Sequence, residues 1–244
     1  MKKIISQIPN FITSLNMVSG LAAIVFATNG QLMLAGIFIC LAAVFDFLDG
    51  FAARFLKAYS EIGKQLDSLA DVISFGVAPG FILFTLLKFS MFGINQPVYE
   101  ISAKWYEWVA LFSAFLVPVF GAIRLARFNV AAQDSAFFRG LPIPANGIFW
   151  ASLGLIFENS DPKILFEIIF STPSLLFLCT FISAIMVSNL PMFSLKFKTT
   201  KFKENRFRYL FLVLALALLI SLKFYGLMFC IIGYILLNVS TLSK

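Results

Sequence analysis

Apolar runs recur from Ile12 to Leu237 with only short polar breaks, and no stretch remains that could bury a water-soluble core of its own. A chain patterned this way needs lipid as its solvent, since about 20 successive apolar residues are what a helix requires to cross a bilayer. Backbone groups inside lipid must pair within their own segment, and at this run length a helix satisfies that demand. The expected class is therefore all-α, a polytopic bundle of transmembrane helices forming one membrane-embedded domain over residues 1–244. Composition agrees, with 60% hydrophobic and 13% charged residues.

The apolar pattern predicts eight helices, near residues 10–28, 32–55, 62–87, 105–128, 146–157, 174–190, 209–222 and 225–242. The fifth is short, and Pro142, Pro144 and Gly147 at its start predict a helix that begins in a protein-lined cavity rather than in lipid. Lys2 and Lys3 before an apolar stretch resemble a signal peptide, but the stretch to Ala27 offers no convincing cleavage site, so the first helix is expected to be retained. With eight spans, fifteen of the nineteen Lys and Arg residues fall on the side of the amino end and only Lys88, Lys104, Lys163 and Lys223 fall opposite. That asymmetry predicts a cytoplasmic amino end, with the basic run from Lys196 to Arg208 lying against an anionic leaflet.

Cys40, Cys179 and Cys230 stand singly in apolar runs and are expected to act as small hydrophobes. Histidine is absent, which excludes phosphohistidine chemistry, a Ser-His pair and a histidine metal site within this chain.

Four of the twelve acidic residues, Asp46, Asp49, Asp67 and Asp71, lie in the second and third predicted spans, where lone carboxylates are costly and call for a function. Asp46 and Asp49 are three apart and Asp67 and Asp71 four apart, so each pair occupies one helix face, and an antiparallel hairpin turning near Tyr59 brings all four together. So many carboxylates in one volume repel one another unless cations intervene. Their oxygens suit the hard ions Mg²⁺, Mn²⁺ and Ca²⁺, and four can hold two ions, an arrangement that can clamp a phosphorus centre during in-line displacement. Gly50, Ala53 and Gly63 leave room for a nucleotide or diphosphate to approach the backbone, or for tight helix packing, and Arg54 offers a bidentate phosphate contact.

The run Asp46-Phe-Leu-Asp49-Gly50-Phe-Ala-Ala53-Arg54, followed after eight residues by Gly63-Lys-Gln-Leu-Asp67-Ser-Leu-Ala-Asp71, resembles the signature of the CDP-alcohol phosphatidyltransferases, D-x-x-D-G-x-x-A-R and G-x-x-x-D-x-x-x-D, at every fixed position. The resemblance implies a six-helix catalytic core, here about residues 10–191, commonly dimeric and open to the cytoplasm. In it two metals hold the diphosphate of a CDP-linked donor and CMP departs. It further implies Asp46, Asp49, Asp67 and Asp71 as metal ligands, Asp71 also as the base for the attacking hydroxyl, and Gly50, Ala53, Arg54 and Gly63 as the CDP site.

Ser74-Phe-Gly-Val-Ala-Pro79, Arg124-Leu-Ala-Arg127-Phe-Asn129, Gly140-Leu-Pro-Ile-Pro-Ala145 and the opening Pro9-Asn10 to Asn16 to Gly20-Leu resemble the phosphatidylserine synthase branch, which points to CDP-diacylglycerol as donor and L-serine as acceptor. The last two helices, about 209–242, look like the pair this branch adds to the core. A zwitterionic acceptor needs a cation for its carboxylate and polar partners for its ammonium group. Ser74, Arg124, Arg127 and Asn129 are the candidates, although both arginines could equally be interfacial anchors or hold donor phosphate. Glycerol 3-phosphate or inositol phosphate as acceptor, and a cation transporter using the same carboxylates, are the competing readings. The expected setting is a bacterial inner membrane, with membrane lipids and a second copy of the chain as partners and no role for nucleic acid.

Overall fold

The structure is a computed structural model that describes residues 7–130, 138–158, 163–192 and 202–241. It is almost wholly helical. α1 (Ile8–Thr28) opens with Pro9 in its first turn, where a missing amide costs nothing, and a turn through Gly30 returns the chain along it as α2 (Leu32–Phe55). α1 buries Ser19, Gly20, Ala23 and Ala27, a stripe of small residues that lets neighbouring backbones approach. The closest approach is at Gly20, where an added Cβ would collide with Ser74.

Ser60 caps α3 (Glu61–Val72) by accepting from the Gly63 amide at 2.9 Å. α3 runs through a π-helical turn (Ile73–Val77) straight into α4 (Ala78–Phe92), so the third predicted span is one apolar helix of 32 residues. The wider turn leaves the Phe75 carbonyl to an outside donor; Asn146 Nδ2 supplies the bond at 2.8 Å, and Asn146 Oδ1 accepts from Trp150 Nε1 at 3.0 Å. The fourth span is α5 (Trp105–Phe112), a 3₁₀ turn (Ser113–Phe115) and α6 (Leu116–Val130). Pro118 lies just beyond the tightened turn, as expected where proline removes a helical amide.

α7 (Ile143–Phe157) is short and buried along most of its length, beginning behind Pro142 with Pro144 in its first turn, as its prolines predicted. α8 (Lys163–Ile169) precedes α9 (Thr172–Val187) at a bend of 61°, a break the hydropathy pattern did not reveal. Phe138–Arg139 and Pro191–Met192 pair antiparallel as β1 and β2. Gly140 follows β1 with φ 71°, and a Cβ there would strike the Met186 carbonyl. Its amide donates to Leu190, so only glycine fits this crossing of α9's end.

α10 (Phe202–Thr241) is helical for 40 residues but is not one rod. Lys223 takes a left-handed conformation (φ 48°). Phe211 and Tyr234, which a straight helix would hold ~34 Å apart, have ring centroids separated by 5.7 Å. The chain therefore doubles back at Lys223, giving the two limbs that the pattern predicted as separate helices. Among the described residues, five helices are long and apolar enough to cross a membrane, six with the bent α8–α9 pair, and division at Lys223 splits the last of the five.

The connections sort to two ends. Asn95 bonds the Thr28 carbonyl, Glu158 bonds the Met33 amide and Ser90 meets Thr172, placing the turn at Gly30 and the loops after α4 and α7 at one end. At the other, Ser60 and Asn10 crowd Gly63, Arg127 bonds Val187, and β1 pairs with β2. This is the alternation that consecutive antiparallel spans require. Of the basic run from Lys196 to Arg208, residues 196–201 fall outside the described residues.

The reversal at Lys223 is open to direct test. Cys230 Sγ lies 3.6 Å from the Ala215 carbonyl. With Cys40 and Cys179 replaced by alanine, Ala215→Cys should cross-link to Cys230 under a short bis-maleimide, read as an intramolecular mass addition. A continuous rod would separate the two thiols by ~22 Å and give none.

Candidate active site

The α2–α3 hairpin gathers the acidic residues as its spacing predicted. One carboxylate oxygen from each of Asp46, Asp49 and Asp67 lies within 4.8 Å of the others. Asp71, one turn beyond Asp67, is in side-chain contact with Asp46 and within electrostatic reach of Asp67 and Asp49. Asp49 is 5% exposed, and its Oδ2 and the Oδ1 of Asp71 are buried without a hydrogen-bond partner. Buried, acceptor-only oxygens converging in this way fit a hard divalent cation, which would satisfy the orphaned atoms and remove the mutual repulsion.

A cavity of about 450 Å³ adjoins the cluster, lined by Asp49 and Asp67 together with all four residues expected for the donor, Gly50, Ala53, Arg54 and Gly63. A Cβ on Gly50 would meet only Arg54 Nη1, at 3.7 Å, so its bare face looks into open space. Gly63 has a second role, because a Cβ there would stand 2.7 Å from Asn10 Oδ1 and 2.8 Å from Ser60 Oγ. Its absence lets α1 reach the start of α3.

The sequence reading overlooked part of this wall. Thr13 lines the cavity, with its hydroxyl in reach of both the Pro9 carbonyl, at 3.0 Å, and the Asp49 carboxylate. Tyr59, Ser60 and Lys64 line it too. A signal for Thr13 was available: Asn10, Thr13 and Asn16 recur at helical spacing on an otherwise apolar α1, a polar stripe that lipid would not tolerate.

The four acceptor candidates are not gathered into one place. Ser74 is fully buried and donates to the Asn16 carbonyl at 3.0 Å, which commits its proton to the α1 contact. Arg127 is exposed and donates from Nη1 to the Val187 carbonyl at 3.0 Å, tying α6 to the end of α9. Asn129 donates to Ser68 Oγ at 3.0 Å, holding α6 against α3. Arg124 alone is buried beside the chemistry, 8% exposed, with its guanidinium carbon 5.6 Å from the Phe128 ring centroid and the group within electrostatic reach of Asp71.

Comparison with known proteins agrees with this geometry. The family described as CDP-alcohol phosphatidyltransferase matches residues 6–186, which hold every residue of the acidic cluster and the cavity wall. The chain belongs to that family. Among its curated relatives, the CDP-diacylglycerol–serine O-phosphatidyltransferase of Mycobacterium leprae is 35% identical over 196 residues, 76% of this chain and 57% of the relative. The protein of that name from Methanocaldococcus jannaschii is 29% identical over 231 residues, 95% of this chain and 92% of the relative. The archaetidylserine synthase of Methanothermobacter thermautotrophicus is 35% identical over 158 residues, 63% and 61% of the two chains. The chain thus spans little more than half the length of the Mycobacterium leprae relative and nearly all of the Methanocaldococcus jannaschii one.

Because the carboxylates act together, Asp67→Asn should weaken Mn²⁺ binding by roughly tenfold or more, measured by electron paramagnetic resonance of the free ion. Gly63→Leu, which forces α1 away from α3, should lower the melting temperature as well as close the cavity to CDP.

Proposed function

We propose that this phosphatidyltransferase transfers the phosphatidyl group of CDP-diacylglycerol to the hydroxyl of L-serine and releases CMP. The observation that carries this reading is the division of the acidic cluster between two sides. Asp49 and Asp67 line the cavity, which is of a nucleotide's size, and Asp71 lies within electrostatic reach of the buried Arg124. A donor in the cavity would rest its diphosphate against Asp49 and Asp67, with Arg54 and Lys64 at the wall to meet phosphate oxygens and its acyl chains left in the bilayer.

Bound at Asp46, Asp49, Asp67 and Asp71, two ions of Mg²⁺ or Mn²⁺ supply charge neutralisation for the diphosphate and for departing CMP. The residues do the rest. Arg124 takes the serine carboxylate in its planar fork, which sets the hydroxyl toward Asp71. Asp71 accepts the hydroxyl proton as the oxygen attacks the lipid-bearing phosphorus, and the bond from that phosphorus to the bridging oxygen breaks, CMP carrying away the electron pair. A covalent phosphatidyl-enzyme would need an activated nucleophile, and no histidine is present to make one. The two named serine phosphatidyltransferases and the archaetidylserine synthase among the relatives support serine over a phosphorylated acceptor. So does the site, since glycerol 3-phosphate or inositol phosphate would call for more buried cations than Arg124 beside Asp71. A homodimer in a bacterial inner membrane belongs to the same proposal, and the basic-residue asymmetry supports its orientation, with the amino end and the site facing the cytoplasm.

Purified protein given CDP-diacylglycerol, Mn²⁺ or Mg²⁺ and an equal mixture of serine, glycerol 3-phosphate and inositol phosphate should yield phosphatidylserine and stoichiometric CMP by mass spectrometry. A lipid bearing another headgroup would overturn the acceptor, and metal flux without CMP would restore the transporter. Asp71→Asn should lower kcat by ~10²-fold or more while leaving the KM for the donor within about threefold. Near-full turnover in that variant would remove Asp71 as the base.

A further inference from the structure

Pro79 sits four residues after Phe75 in the helix that carries Asp67 and Asp71, and it has no amide to give the Phe75 carbonyl its ordinary helical bond. A bare carbonyl buried among apolar helices is costly, so a donor must come from elsewhere. It comes from the first turn of α7. Asn146, fully buried, donates from Nδ2 to that carbonyl at 2.8 Å, and Trp150 Nε1 holds the amide in its donating orientation by bonding Oδ1 at 3.0 Å. Gly147 lets α7 come close enough, since a Cβ there would stand 2.6 Å from Phe75 Cδ1 and 3.1 Å from Phe75 Cα. Under this clamp residues Ile73–Val77 take the wider π-helical turn, with the Ala78 amide reaching back to the Ile73 carbonyl.

The turn begins two residues after Asp71. A π turn carries about one residue more than an α turn, which offsets the helix on its two sides by ~100° about the axis. Both sides are pinned. At the near end Ser60 caps α3 and Asn10 stands against Gly63. At the far end Thr85 Oγ1 donates to the Ala27 carbonyl at 2.9 Å, and a Cβ on Gly80 would lie 3.0 Å from Pro118 Cδ. Inside the turn Ser74 Oγ donates to the Asn16 carbonyl at 3.0 Å. A return to α-helical winding would therefore be taken up between the pins, where Asp67 and Asp71 stand.

We propose that Asn146 is a positioning residue for the acidic cluster: standing in for the amide that Pro79 lacks, it fixes the π-helical turn, and the turn sets Asp67 and Asp71 against Asp46 and Asp49. The inference rests on the reading of the four aspartates as a divalent-metal site. It gives α7, none of whose described residues lines the cavity, a part in the site. A bond that served only to satisfy the Phe75 carbonyl would be replaceable by any donor, and Pro79→Ala offers one in the helix itself.

Mn²⁺ binding, by electron paramagnetic resonance of the free ion, and the melting temperature, both on the full chain in detergent, separate the two roles. Asn146→Leu, similar in volume and without a donor, should lower the melting temperature and weaken Mn²⁺ binding about tenfold. Adding Pro79→Ala supplies the missing amide. The double variant should regain most of the lost melting temperature by closing the turn as α-helix, while Mn²⁺ binding stays about tenfold weaker than in the wild type. Restored Mn²⁺ binding in the double variant overturns the inference, because the bond then serves the carbonyl alone. Recovery of neither property overturns it as well, since Asn146 would not then be replacing the Pro79 amide. Wild-type Mn²⁺ binding in Asn146→Leu does the same and leaves the metal site standing. Asp67→Asn is the reference, and Mn²⁺ binding in it equal to the wild type removes the metal site and this inference together. Should Asn146→Leu fail to fold, the double variant is read against the wild type directly: a folded protein with weakened Mn²⁺ binding upholds the inference, and wild-type binding ends it.

Discussion

Carboxylates held together inside an apolar bundle repel strongly. Two unit charges 4 Å apart interact by about 4 kcal/mol even at the effective dielectric of a protein surface, and by more in drier surroundings. Asp46, Asp49 and Asp67 approach within 4.8 Å and Asp71 touches Asp46. Such a cluster can be built only by a scaffold rigid enough to hold it and only for a ligand of opposite charge. Much of the structure supplies that rigidity. Ser60 caps α3 at the turn, Gly63 admits Asn10, Gly20 admits Ser74, and Asn146 locks the π-helical turn between α3 and α4.

Around the cluster the helices divide the labour. α1 brings a polar stripe, Asn10 and Thr13 above all, to the wall that the hairpin's small residues leave open. α6 brings one buried arginine to the opposite side and spends its other polar groups on neighbours, Arg127 on α9 and Asn129 on α3. On the proposed reading, donor and acceptor would meet across the aspartates, a layout suited to in-line displacement, in which the attacking and leaving oxygens lie on opposite sides of phosphorus.

Much of this was legible in advance because the signals were local. Helix positions followed from run length, and the shortness of α7 from Pro142, Pro144 and Gly147. The convergence of Asp46, Asp49, Asp67 and Asp71 followed from spacings of three and four on two helices joined by a tight turn. Thr13 was legible in principle, through its spacing from Asn10 and Asn16, yet a single hydroxyl on an apolar helix is a weak signal. The bend between α8 and α9 left no mark in hydropathy, because both segments are apolar.

The acceptor side shows where local reading ends. Ser74, Arg124, Arg127 and Asn129 are alike in sequence as polar residues near the site, and nothing in their spacing says that the first, third and fourth bond to Asn16, Val187 and Ser68. Those partners lie 58 to 61 residues away along the chain. The sequence by itself determined the membrane class, the helical spans and the acidic hairpin, since each depends on periodicity and near neighbours along one or two helices. Only the tertiary structure decided which arginine is buried within electrostatic reach of Asp71, that Thr13 reaches Asp49, and that Tyr234 returns to Phe211 across the reversal at Lys223. Those are contacts between segments far apart in sequence, and packing selects them after every helix has already formed.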